Sequence, residues 1–133
     1  MASTDTFHVS VVTPEKAVLE VDARFVAFPA HDGEIGILPH RAPIVCRVGV
    51  GVLRAQTATT THTLFIDGGF AQMVDNRLTI LTEQALEPSQ LNRAAAQAEL
   101  AAARALPTTP EHAFETRQRA LERARVKLRL TAA

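Results

Sequence analysis

The chain has 133 residues, of which 47% are hydrophobic and 21% are charged, a composition typical of one globular domain with a small appendage. Lys and Arg number 14, as do Asp and Glu, so net charge gives no reason to expect nucleic acid or an anionic membrane as the main partner. No apolar run approaches the roughly 20 residues of a membrane-spanning helix, and no signal peptide is expected. A lone cysteine, Cys46, excludes an intrachain disulfide and indicates a reducing compartment.

From Phe7 to Leu81 the apolar residues recur with a period of two, which predicts short β-strands. Glycine, proline or small polar residues separate the runs. The predicted strands cover residues 7–11, 18–21, 25–28, 35–38, 44–48, 52–55, 62–66, 70–74 and 78–82. Many short strands without intervening helices predict an antiparallel β-sandwich or flattened barrel.

One loop among these strands is predicted to be stiff and charged. Gly33 predicts a tight turn, and Pro39 ends the short strand that follows, because proline has no N–H for a sheet ladder. Pro43 holds the residue before it in an extended geometry. We therefore expect His40 and Arg41 at the tip of a loop that flexes little. Such a tip suits docking to a partner, although a plain proline-bounded connection between strands would use the same residues.

The composition changes at Leu86, after which glycine disappears and alanine dominates. We therefore predict an α+β protein with two domains, a β-sandwich over 1–86 and an antiparallel two-helix hairpin over 87–133.

Two helices are predicted in the second domain. Ser89 is expected to cap a first helix that runs to about Leu106. Thr109 is expected to cap the second, with Pro110 at its first position, where a missing N–H costs nothing. Their predicted apolar faces consist of Leu91, Ala95, Ala98 and Ala102 in the first helix and of Phe114, Ala120, Leu121, Ala124 and Leu128 in the second. Because alanine buries little area, we expect this hairpin to be weakly held and able to detach.

The second helix is basic. It carries three glutamates against Arg117, Arg119, Arg123, Arg125, Lys127 and Arg129. Cations near a helix C-terminus are stabilised by the helix dipole, so a solvated face is one interpretation and an acidic partner surface is the other.

Two stretches resemble a family signature. The first is Gly33-Glu34-Ile35-Gly36-Ile37-Leu38-Pro39-His40-Arg41-Ala42-Pro43, and the second is Ile66-Asp67-Gly68-Gly69-Phe70 followed by the strand after Val74. In this order and spacing they are similar to the epsilon subunit of bacterial F-type ATP synthases, and the resemblance continues through the C-terminal helices to cover nearly the whole chain.

The resemblance implies a non-catalytic central-stalk subunit that couples the gamma subunit to the c-ring of a proton-driven ATP synthase. It implies a place on the cytoplasmic face of the bacterial inner membrane, reached only through the complex. In the family, an acidic residue of the first motif and a basic residue before Ala-Pro face the loops of the ring. Here these positions are Glu34 and Arg41, with His40 beside them.

The family's helical hairpin inhibits ATP hydrolysis when it extends along gamma and reaches the alpha and beta subunits. The resemblance implies that an acidic loop of beta would meet Arg117, Arg123, Arg125 and Lys127.

Some family members also bind ATP on the folded hairpin. The corresponding residues here are Arg93, Arg123 and Lys127, but Gln90 stands where the family pattern has aspartate. The resemblance therefore implies weak regulatory ATP at most, and no other cofactor.

Two other classes of function compete with this interpretation. A nucleic-acid-binding adaptor could use the basic second helix, but no aromatic residue follows Phe114 to stack on bases. A metal-dependent enzyme could use His31, Asp32, Glu34 and His40, but their separations match no standard zinc or EF-hand spacing. No nucleophile elbow or phosphate-binding loop is present, so we expect no catalysis, no metal and no nucleic acid.

Overall fold

The computed structural model describes residues 5–107 and 111–131. These residues form ten strands, one 3₁₀ turn and two α-helices. The strands are β1 (Phe7–Val12), β2 (Ala17–Ala23), β3 (Phe25–Ala30), β4 (Gly33–Ile37), β5 (Ile44–Arg47), β6 (Val50–Gln56), β7 (Thr61–Asp67), β8 (Phe70–Val74), β9 (Arg77–Leu81) and β10 (Ala85–Leu86). The 3₁₀ turn Pro88–Gln90 precedes the helices α1 (Arg93–Arg104) and α2 (Glu111–Thr131). The chain divides into two compact units between Ala85 and Leu86.

The strands form two five-stranded sheets. Sheet 1 has the order β2-β1-β9-β8-β5, and sheet 2 has the order β10-β7-β6-β3-β4. The predicted β-sandwich followed by two helices is confirmed, with one difference, because β1 pairs with β9 in parallel. The first and last strands of sheet 1 along the sequence meet through a pairing that no local turn pattern could predict.

The alternation of the strands builds the core. Phe7, Val9 and Val11 point inward as their period-two pattern predicts, and Phe28 and Met73 are fully buried with them. Gly33 begins β4 with a φ of +131°, as its turn position required.

The strand β3 runs to Ala30, two residues beyond the predicted end at Phe28. Its ladder with β6 extends only from Phe25 to Ala27. Pro29 lies beyond that ladder, where its carbonyl oxygen accepts the Gly49 N–H at 2.9 Å and no ladder bond requires an N–H from residue 29.

The Gly68-Gly69 pair carries the chain from β7 in sheet 2 to β8 in sheet 1. The two glycines have φ values of +70° and +107°. A Cβ atom on Gly69 would overlap the carbonyl oxygen of Leu81, so a larger residue does not fit there.

The helix α1 begins later than expected. Asn92 is its N-cap, and the Asn92 side chain accepts the Ala95 N–H at 2.9 Å. Ser89 lies within the 3₁₀ turn and is not the cap, because Glu87 and Gln90 form a capping box around that turn. The expected connector and the Thr109 cap lie outside the described residues.

The buried face of α1 also differs from the predicted one by one residue. Ala96 and Ala103 are buried, whereas the predicted Ala95, Ala98 and Ala102 are exposed. Glu99 shares the buried face, and an apolar pattern cannot identify a face that contains a paired carboxylate.

On α2, the predicted Leu121 and Ala124 are buried together with Val126. Phe114 was expected on the same face and is instead exposed.

Candidate functional site

The 38–43 loop leaves β4 at the edge of sheet 2 and enters β5 at the edge of sheet 1. The exposed residues of the loop are Leu38, His40, Arg41, Ala42 and Pro43. His40 and Arg41 therefore lie at the exposed tip of a connection between the sheets.

The backbone of this tip is held in one conformation at His40. Its φ is +62°, a conformation that residues other than glycine adopt infrequently. The His40 N–H donates to Asn76 Oδ1 at 2.8 Å. The His40 ring Nε2 lies 3.6 Å from Asp5 Oδ1, with both side chains exposed. The loop is thus tied to a turn 36 residues further along the chain.

Glu34 lies at the other end of β4. Its Oε2 is 3.4 Å from Arg54 Nη2, and both side chains are at least half exposed. Four residues of extended strand span about 13 Å, so Glu34 is separated from the start of the loop at Leu38. The structure therefore places the three predicted ring contacts at two positions, His40 and Arg41 at one and Glu34 at the other.

An open groove of about 300 Å³ lies beside Glu34. Its lining includes His31, Asp32 and Arg47. Among residues 5–107 and 111–131, no group of three or more His, Cys, Asp and Glu side chains is arranged to hold a metal ion.

Cys46 also borders this groove and packs partly against the sandwich core. Burial raises the pKa of the Cys46 thiol, so the thiol is protonated at neutral pH. A protonated thiol is a weak nucleophile, which agrees with a packing role.

The basic residues of α2 fall into two groups. Arg125 is exposed, whereas Arg117, Arg123 and Lys127 are half-buried. Lys127 Nζ donates to Glu99 Oε1 at 3.3 Å and to Oε2 at 3.1 Å, and the Lys127 side chain is only 13% exposed.

Arg117 Nη2 donates to the carbonyl oxygen of Arg104 at the end of α1. Two of the four candidate contacts to beta, Arg117 and Lys127, are therefore bonded to α1 in this conformation. The sequence did not identify Glu99 as the partner of Lys127, although Glu99 is the one carboxylate in a run of alanines.

The structure also shows the surroundings of the positions that the resemblance implies for ATP binding. Gln90 Oε1 accepts the Glu87 N–H at 2.9 Å. Arg93 is exposed at the first turn of α1, and Lys127 is bonded to Glu99.

Comparison with known proteins identifies the family. Residues 6–88 match the beta-sandwich domain of the ATP synthase Delta/Epsilon chain. The ATP synthase epsilon chain of Rhodopirellula baltica is 44% identical over 120 residues, which cover 90% of this chain and 93% of that one. This chain belongs to the ATP synthase epsilon-chain family. The epsilon chain of Desulfitobacterium hafniense (strain DCB-2) is 37% identical over 131 residues and covers 96% of each chain.

Two solved structures have the same fold as this epsilon-family chain. A chain in the cryo-EM structure of the Euglena gracilis mitochondrial ATP synthase, with OSCP, F1 and c-ring, has a TM-score of 0.83 at 19% identity. The match covers 100% of this chain and 85% of that one. A chain in the central stalk and c-ring structure of the Tetrahymena thermophila mitochondrial ATP synthase has a TM-score of 0.74 at 14% identity, with 94% and 96% covered.

Family membership confirms the identification made from the two motifs. As an epsilon-family chain, the protein is a non-catalytic subunit of the ATP synthase complex. This assignment favours neither the nucleic-acid adaptor nor the metal-dependent enzyme. Within the described ranges, neither helix combines the length and apolarity that crossing a lipid bilayer requires.

Proposed function

We propose that this subunit couples the gamma subunit to the c-ring, with the tip of the 38–43 loop touching the ring. The supporting observation is an exposed tip, bracketed by Pro39 and Pro43, whose backbone is bonded to Asn76. A contact that transmits torque requires a rigid backbone and charges that fix its register. The family relationship supports placing this contact on the cytoplasmic face of the bacterial inner membrane.

Glu34 provides a second ring contact in this proposal. Its ion pair with Arg54 is exposed, and an exposed pair contributes little to stability. Glu34 can therefore exchange Arg54 for a cation of the ring at low cost.

We place the gamma contact on the outer face of sheet 1. Phe70 and Leu81 are paired across β8 and β9, and they are 55% and 52% exposed. Val45 on β5 is 71% exposed and pairs with Gln72, which shares the face of Phe70. Large apolar side chains exposed on three adjacent strands form a surface suited to a protein partner. The gamma subunit is the partner that the resemblance implies.

The helical hairpin is the inhibitory element in this proposal. Arg117 and Lys127 bind α1 in the folded hairpin and become available to an acidic surface of beta only when α2 leaves α1. Arg123 lies half-buried on the same helix, while Arg125 is exposed in the folded state. Beta can therefore bind these two cations only when the hairpin is open, and such differential binding is the requirement for a population shift.

ATP has no strong site in this proposal. Gln90 cannot supply the charge of an aspartate, and the Lys127 ammonium is bonded to Glu99. We expect the hairpin to respond to its protein partners and not to micromolar ATP.

The ring contact is tested with Arg41→Ala in the full chain. We expect its affinity for an assembly of gamma and c-ring to fall about tenfold, which corresponds to about 1.4 kcal/mol. Lys16→Ala, at an exposed residue between β1 and β2, is the control and should bind as the wild type does. Wild-type affinity for Arg41→Ala would contradict the ring contact.

A further inference from the structure

We infer that Asn76 is the positioning residue that orients the tip of the 38–43 loop toward its partner, an inference that rests on the proposed ring contact. Asn76 lies in the turn between β8 and β9, far from the loop in sequence. Its side chain bonds to two other segments of the sandwich at once.

The turn itself is of the tight hairpin type. Asp75 and Asn76 have φ values of +51° and +61°, and they connect Val74 to Arg77 across a two-residue loop. Positive φ at both central residues is the geometry of a type I′ turn, which matches the twist of an antiparallel pair. This turn fixes the direction in which the Asn76 side chain leaves the backbone.

Asn76 bonds to both neighbouring segments. Asn76 Oδ1 accepts the His40 N–H at 2.8 Å, and Asn76 Nδ2 donates to the Thr6 carbonyl oxygen at 2.8 Å. The backbone carbonyl oxygen of Asn76 accepts the His8 N–H at 3.2 Å. One residue therefore connects the loop, the start of β1 and the β8–β9 turn.

The bond from Asn76 reaches the loop at His40, the residue with an unfavourable backbone conformation. His40 has a φ of +62°, which costs an L-residue about 1–2 kcal/mol relative to the right-handed region. A hydrogen bond to its N–H offsets part of that cost and selects this backbone conformation over an extended one. Because Arg41 follows directly, the conformation of His40 sets the direction of the Arg41 side chain.

The chain offers matched variants for a test. Asn76→Gly keeps the turn, since glycine accepts positive φ, and removes both side-chain bonds. Asp75→Gly makes the same change at the adjacent exposed turn residue and is the control. Asn76→Asp keeps an acceptor for the His40 N–H and loses the donor to Thr6.

The first measurement is amide hydrogen exchange at His40 in the full chain. We expect Asn76→Gly to accelerate exchange at His40 by roughly 3- to 10-fold, the equivalent of one net hydrogen bond. Asp75→Gly and Asn76→Asp should leave it near the wild-type rate. Wild-type exchange in Asn76→Gly would overturn the inference, whatever the binding result.

The second measurement is binding of the same variants to an assembly of gamma and c-ring, beside Arg41→Ala. We expect Asn76→Gly to lose affinity as Arg41→Ala does and Asn76→Asp to retain most of it. If Arg41→Ala binds more weakly while Asn76→Gly binds normally, the positioning role is refuted and the ring contact stands. If neither variant changes affinity while His40 exchange accelerates, the ring contact is refuted, and with it the role of Asn76 in partner binding.

Discussion

The ion pair between Glu99 and Lys127 should set how readily the two helices separate. Glu99→Gln preserves the shape of the side chain and removes its charge. The Lys127 ammonium lies 3.1 and 3.3 Å from the two carboxylate oxygens, and the two side chains are 13% and 35% exposed. At this separation the Coulomb attraction is about 5 kcal/mol for an effective dielectric constant of about 20. The cost of removing the Lys127 ammonium from water offsets most of this attraction, because the ammonium has little contact with water in the folded hairpin.

We therefore expect Glu99→Gln to weaken the association of α1 and α2 by about 1–2 kcal/mol, between the values for exposed and buried ion pairs. This corresponds to a shift of about 5- to 30-fold in the ratio of open to closed hairpin. Amide hydrogen exchange along α2 should accelerate by the same factor. In the assembled complex, ATP hydrolysis should fall, because more chains hold the extended inhibitory state.

Glu122→Gln, at an exposed glutamate of α2, is the control and should match the wild type in both assays. The double variant Glu99→Lys with Lys127→Glu swaps the two charges. It should recover part of the protection of α2 from amide hydrogen exchange, as expected when two residues interact directly. Wild-type exchange in Glu99→Gln would refute the role of the ion pair. Faster exchange with unchanged hydrolysis would refute the link between hairpin opening and inhibition.

Three further predictions concern the two units and the Cys46 thiol. Truncation after Leu86 removes the helices and should raise ATP hydrolysis by the complex while assembly persists; unchanged hydrolysis would argue against an inhibitory hairpin. Gly69→Ala should destabilise the sandwich by about 2–5 kcal/mol, because strain at positive φ adds to overlap with the Leu81 carbonyl, and Gly68→Ala should cost only about 1–2 kcal/mol, since its nearest neighbour is 3.9 Å away. The urea concentration at the midpoint of unfolding distinguishes the two glycine variants, and equal midpoints would contradict the steric argument. Because burial raises the pKa of the Cys46 thiol, the folded chain holds this proton to higher pH than the unfolded chain, so stability should fall as pH rises past the ordinary thiol pKa. Cys46→Ala should remove that part of the pH dependence, and thiol alkylation at neutral pH should be slower in the folded than in the unfolded chain.

The strands, the change to helix after Leu86 and the family could all be predicted from residue types and their spacing. Local backbone chemistry is sufficient for these features, because period-two alternation, turn glycines and prolines act over a few residues. The tip of the 38–43 loop was predictable for the same reason, since Pro39 and Pro43 restrict the chain wherever it lies.

The contacts between distant groups could be read only from the folded structure. The parallel pairing of β1 with β9, the bond from Asn76 to His40 and the pair of Glu99 with Lys127 all join residues far apart in sequence. The last of these also explains why the buried face of α1 was misplaced, because a carboxylate counts as exposed in any apolar pattern until its partner is known. A hydrogen bond or ion pair depends on the positions of two atoms in space, and those positions are set by the packing of the whole unit.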